Sequence, residues 1–102
     1  MNLSKSQFKR LSTQVEEDQS QIAVGDHVKS FDFPGVRNDC FVEGIVTAID
    51  RNTGFGSVSL HVIRDVHAGE DEMVGARLQV TAPLGVSSMT GRPAVVLLRK
   101  RA

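Results

Sequence analysis

The chain has 102 residues, with twelve basic and twelve acidic side chains, one cysteine and neither tryptophan nor tyrosine. This is one domain with a modest core, its neutral charge exerts no global pull towards nucleic acid or an anionic membrane, and a lone cysteine cannot close an internal disulfide, which points to a reducing, cytoplasmic setting. No apolar run approaches the roughly 20 residues that cross a bilayer, and the start lacks the apolar segment of a signal peptide, so no membrane partner is expected.

Residues 1–23 read as an N-terminal helix or tail, and residues 24–102 as a small β-barrel domain. Ser4 and Gln7 have the spacing of a capping box, and Phe8, Leu11 and Val15 recur at helical spacing. The charges run against the helix dipole: Lys5, Lys9 and Arg10 lie near the start, Glu16, Glu17 and Asp18 near the end. Such a helix needs a surface to dock on. Val24-Gly25-Asp26 is a turn signal, and residues 28–33 are predicted as a first strand. Val28 opposes Phe31 and Phe33 in parity, which calls for a bulge near Ser30. Pro34-Gly35 ends that strand, and residues 36–39 complete a loop.

The centre is residues 40–67, two strands around the turn Arg51–Gly56. In the second arm Val58, Leu60, Val62 and Val66 share one face, and Ser57, Ser59, His61, Asp65 and His67 the other, the period-two pattern of a half-buried strand. The first arm is apolar on both sides: Cys40, Val42, Val46 and Ala48 on one, Phe41, Ile45 and Ile49 on the other. Gly44 within it marks a bulge or bend, and Asn52, Gly54 and Gly56 suit a tight reversal. A polar loop with Glu70, Asp71 and Glu72 follows. Ala76, Leu78, Val80 and Ala82 then alternate as a fourth strand stopped by Pro83. Residues 84–92 form a loop, and Ala94–Leu98 a fifth strand before the basic run Arg99-Lys100-Arg101.

The expected fold is mainly β: a five-stranded SH3-like small barrel with an N-terminal α-helix. An OB-like barrel is the alternative, although residues 68–75 are too few and too acidic for its usual helix. The turn and strands Val24-Gly25-Asp26-x-Val28 and Gly44-x-Val46-x-x-Ile49 resemble the opening of KOW-, Tudor- and related SH3-like barrel modules. The resemblance covers about a quarter of the chain and implies a non-enzymatic binding module; the aromatic cage and basic loop of those modules are missing. Phe31-Asp32-Phe33-Pro34, with Asp39-Cys40-Phe41-Val42-x-Gly44, is similar to small uncharacterised proteins of phages and their bacterial hosts, which implies an accessory protein without naming a chemistry.

Among residues able to carry chemistry, His61, Asp65 and His67 share a strand face. Positions two apart are about 6.7 Å apart along a strand and four apart about 13 Å, so Asp65 and His67 can meet at one metal ion but His61 needs a bulge to join them; His27 could help from an adjacent strand. Cys40 falls on the core face, where cysteine behaves as a small hydrophobe. Gly54 and Gly56 precede a strand, unlike a phosphate-binding loop, which opens a helix. Glu70, Asp71 and Glu72 lack EF-hand spacing. The pattern therefore predicts no enzyme, no cofactor, no metal and no small-molecule substrate.

Two binding surfaces stand out. Phe41, Ile45 and Ile49 form an apolar face that is either covered by the helix stripe Phe8, Leu11 and Val15 or left as a protein-contact or self-association site. Loops 34–39 and 83–92 are the expected variable contact surfaces. The alternative is nucleic-acid binding through Arg99, Lys100 and Arg101, with Arg51, Arg64 and Lys29 nearby in the sheet. Protein contact, with a partner or with a second copy in a homodimer, is the leading expectation.

Overall fold

In the computed structural model, residues 4–52, 54, 56–71, 77–87 and 91–101 are described. A helix, α1 (Lys5–Gln19), precedes six strands: β1 (His27–Phe31), β2 (Phe41–Asp50), β3 (Ser57–His67), β4 (Glu70–Asp71), β5 (Gln79–Pro83) and β6 (Val95–Arg99). The strands form one antiparallel sheet in the order β4-β3-β2-β1-β6, and β5 pairs with the first half of β3. The sheet curls into a half-barrel. The mainly β fold with its N-terminal helix is as the sequence implies. The sixth strand is the two-residue β4, where the sequence suggested only a polar loop; Asp71 pairs with Val66 and Glu70 with His67.

The capping box forms: the Gln7 N–H donates to Ser4 Oγ and the Ser4 N–H to Gln7 Oε1. At the other end the Arg51 guanidinium donates to the carbonyls of Gln19 and Ile22, a positive charge where the helix dipole favours one. The main core gathers Ile22, Val28, Val42, Val46, Val58, Leu60, Ala82, Leu84, Ala94 and Val95. These residues come from every strand but β4, so the curl, rather than any one strand pair, excludes water.

Two bulges in the β2–β3 pair, at Glu43/Gly44 and Val46/Ala48, set which side chains enter that core. Gly44 sits at the first, where a Cβ would lie 2.6 Å from the His61 carbonyl oxygen, closer than any side chain tolerates. Each bulge reverses the alternation beyond it. After Val46, Ala48 turns to solvent and Ile49 packs on the core. On β3 the extra residue is Ile63, 53% exposed. Beyond it Val66 pairs with Phe41 and Asp65 with Val42, so Asp65 and Val66 lie on the faces opposite to those that unbroken alternation assigns. Cys40, Phe41 and Val66 are buried outside the main core cluster.

Three further expectations are corrected. The β1–β2 register is continuous through Ser30, so no bulge lies there; the shift is between His27 and Val28 against β6. Phe33 falls beyond the strand and is exposed. Leu78 precedes β5 and is 61% exposed rather than inward, because the strand begins only at Gln79. Glu72, Ala76 and residues 88–90 of the predicted 83–92 loop lie outside the described residues.

The turn between β3 and β4 is the pair Ala68-Gly69, with φ of +52° and +81°. A two-residue hairpin needs positive φ at both central positions to follow the strand twist; glycine adopts it freely and alanine does not.

Candidate functional site: the apolar loop beside the open seam

The sheet does not close on itself. Between β5 and the end of β1 lies a cavity of about 310 Å³, lined by Ser30, Val42, Val80, Ala82, Ala94 and the Arg77 side chain. The Asp32–Asp39 loop rises beside it. Asp32 is joined to Cys40 across the loop base by its N–H to the Cys40 carbonyl. The N–H groups of Val36 and Arg37 both donate to the Phe33 carbonyl, a single helical turn that Gly35 leaves with φ of +79°.

Both shoulders of the loop are locked by arginine–carboxylate forks. Arg37 donates Nε and Nη2 to the two oxygens of Asp39, at 2.9 and 3.0 Å. Arg77 does more. Its Nε and Nη2 reach Asp65 at 2.7 and 2.6 Å, and its Nη1 and Nη2 reach Asp32 at 2.9 and 3.1 Å. Bidentate pairs fix geometry as well as adding attraction. The Arg77 hydrogen bonds hold the Asp65 carboxyl below the usual carboxylate range, and the same two carboxylates raise Arg77. Arg37 lowers Asp39 likewise.

Held this way, the loop turns apolar side chains outward. Phe33 is 48% exposed and Val36 69%. A large hydrophobe on an ordered loop costs little further entropy when a partner covers it. Loop 34–39 is one of the contact surfaces expected from the sequence, whereas Phe33 lies in this loop rather than in the expected strand, and the roles of Arg77 and Asp32 carry no signal in the local sequence. A signal was available: two bulky apolar residues astride Pro34-Gly35, a turn whose own backbone has to stay near water.

The apolar face expected from β2 does not exist as one surface. Phe41 is 7% exposed; its ring meets Phe31 edge-on at 6.1 Å and lies under Lys29 Nζ at 3.9 Å. Ile49 has turned inward, and Ile45 is half-buried between His27 and His61 in the register. The helix stripe does not cover them. α1 packs against β6 instead, with Val15 buried, Phe8 half-buried and Leu11 41% exposed. The Val46/Ala48 bulge turns Ile49 inward, while Phe41 and Ile45 stay on one face with Glu43 between them and are largely covered by their neighbours on β1 and β3, which leaves no contiguous patch for a helix to cover.

The basic residues are also redirected. Lys100 Nζ pairs with Asp26 at 2.7 Å and donates to the Gln21 carbonyl; the Arg101 N–H donates to Asp26, and its side chain lies over Gly25. With Arg51 on Gln19 and Ile22, three of the six basic residues hold the segment between α1 and β1. Lys100 and the Arg101 N–H push buried Asp26 down to about 2. Arg64 pairs with Glu43 and Asp71 on the outer face, where Glu43 also lies 3.4 Å from His27. Arg99 is exposed opposite His27.

Cys40 Sγ lies 3.7 Å from His67 Nδ1 and accepts the Ala68 N–H, with no exposed surface. A buried thiol of this kind offers no line of approach to a substrate carbon. The Ile63 bulge takes His61 away from Asp65, which is spent on Arg77. Among the described residues no group of three or more His, Cys, Asp or Glu could hold a metal ion, and no helix is long and apolar enough to cross a membrane. Comparison with known protein families, curated proteins and solved structures finds no match to this chain.

Proposed function

We propose that the chain is a non-enzymatic binding module that engages a protein partner through the Asp32–Asp39 loop. The observation that carries this reading is the exposure of Phe33 and Val36 on a loop clamped at both shoulders. Pre-ordered loops bearing a few large apolar side chains supply the anchors from which protein interfaces draw most of their energy. The nucleic-acid alternative is less well supported, because Arg51 and Lys100 are engaged by carbonyls and Asp26 of the chain itself and Phe41, the ring with cations above it, is covered.

A photocrosslinking residue at position 36, with a control at Gln14 on the far side of α1, tests the reading in cells. Protein adducts at 36 that disappear with Phe33→Ser, in a chain of unchanged circular dichroism, are expected. Adducts to nucleic acid at position 36, or equal yields at 36 and 14, would overturn it. Retention on DNA or RNA is expected to be weak, with no steep dependence on ionic strength.

A further inference from the structure

The seam is fastened at both ends and open between them. At one end the Ala94 N–H donates to the Gly85 carbonyl at 3.3 Å; at the other the Arg77 guanidinium grips Asp32. Between these closures runs the outer edge of β5. The Val62 N–H donates to the Leu78 carbonyl and the Leu84 N–H to the Gly56 carbonyl, which puts Val80 and Ala82 in the hydrogen-bonded pairs of the β3–β5 ladder. Alternation therefore turns the peptide groups of Gln79 and Thr81 away from β3, and among the described residues no other element pairs with them. Pro83 has the same phase and no N–H, so the accepting stretch ends there.

Thr81 borders the cavity of about 310 Å³. That volume is at the small end of ligand pockets, about 300–1,000 Å³, and suits side chains rather than a cofactor. Val42, Val80, Ala82 and Ala94 make it apolar. Ser30, which also lines it, is only 7% exposed, and its hydroxyl has no hydrogen-bond partner among the described residues. A hydroxyl in that position is left to water or to whatever enters.

We infer that the seam accepts an extended segment of the protein partner as an added strand beside β5, with Thr81 as the pairing residue. Asp32 and Pro34 belong both to the loop and to the cavity wall, so one partner covers both, and the added strand rests on the loop reading. Three features select a polypeptide of stated character. A free N–H and a free C=O on one residue are matched together by a peptide unit. Residues directly opposite in an antiparallel pair share a face. The partner residue facing Thr81 therefore points to solvent, while its two neighbours point with Val80 and Ala82 into the cavity. One of these is an apolar side chain, for the aliphatic walls, and the other a small polar one that meets Ser30. Charge supplies the third feature. Arg77 serves both Asp32 and Asp65, so the fork is net negative, and the Asp32 side chain keeps 26% of its surface exposed. A lysine or arginine at that end of the segment is complementary.

Amide exchange at Thr81 in the full chain, with random linear peptides selected on it by display, is the test. In the free chain the Thr81 amide is expected to exchange fast and the Ala82 amide slowly. Selected peptides are expected to carry an apolar and a basic residue, to protect Thr81, and to bind about tenfold more weakly to Thr81→Pro. Proline at 81 removes the free N–H and no ladder bond. Should T81P not fold, an N-methyl scan of the peptide on the wild type decides: methylation of the residue opposite Thr81 is expected to weaken binding by about as much. A Thr81 amide already protected in the free chain overturns the proposal. So does protection that rises with the concentration of the chain alone, which is pairing with a second copy. Peptides that leave Thr81 unprotected, or that are indifferent to both T81P and N-methylation, overturn it even where protein adducts form at position 36. Peptides that protect Thr81 while position 36 yields no protein adduct leave the seam standing and remove the loop reading.

Discussion

Asp26 shows how one buried side chain sets the response to acid. Its carboxyl receives Lys100 and two backbone N–H groups, and its pKa falls from 3.8 to about 2. A group depressed in the folded state contributes stability above its unfolded value and loses it as the pH drops through the folded one. The wild type is therefore expected to lose stability between about pH 4 and pH 2, whereas Asp26→Asn, already less stable at neutral pH, varies less across that interval; denaturant midpoints at each pH measure both. Two backbone positions give further expectations. Gly44→Ala sets a Cβ against the His61 carbonyl and is expected to cost about 1–3 kcal/mol, the range for overpacking. Ala68→Gly relieves a left-handed alanine and is expected to stabilise by roughly 0.5–1 kcal/mol. Thermal unfolding distinguishes the signs.

At the scale of elements, α1 is the piece least supported by its own sequence. Its first turn holds no acidic residue and its last turn no basic one. Ser4→Ala is expected to remove about 1 kcal/mol of helix stability. Because only the end of α1 is docked, that loss is expected as faster amide exchange in α1 with little change in the global midpoint. The capping box, the helix and the five longer strands were legible in the sequence because each rests on neighbours within a few positions. The faces of β2 and the end of β3 were not, because alternation is read by counting and a bulge resets the count. Gly44 announced a bulge; nothing local announced that its extra residue would be Ile63 on the facing strand, nor that a second would follow Val46, since both depend on the partner across the ladder. The Asp32–Asp39 loop was legible as a loop, whereas its fork to Arg77 joins residues 45 positions apart, a distance that spacing rules do not span.

For the whole molecule, the half-barrel divides between a curled apolar core and a periphery fastened by arginine and lysine side chains. Leu60 is 1% exposed within the main cluster, and Leu60→Ala is expected to cost about 2–5 kcal/mol. Phe33→Ser is expected to leave the denaturant midpoint within about 0.5 kcal/mol while abolishing crosslinks from position 36. That outcome would separate the loop's apolar side chains from the stability of the core, as the proposed binding role requires.

Cys40 is buried outside the main core cluster, in a corner against His67 and the Ala68 N–H of the β3–β4 hairpin. Its sulfur is consequently a built-in reporter. Reaction of Cys40 with a thiol-specific reagent has to wait for that corner to breathe, so its rate measures the opening of one corner while the remainder of the protein stays folded.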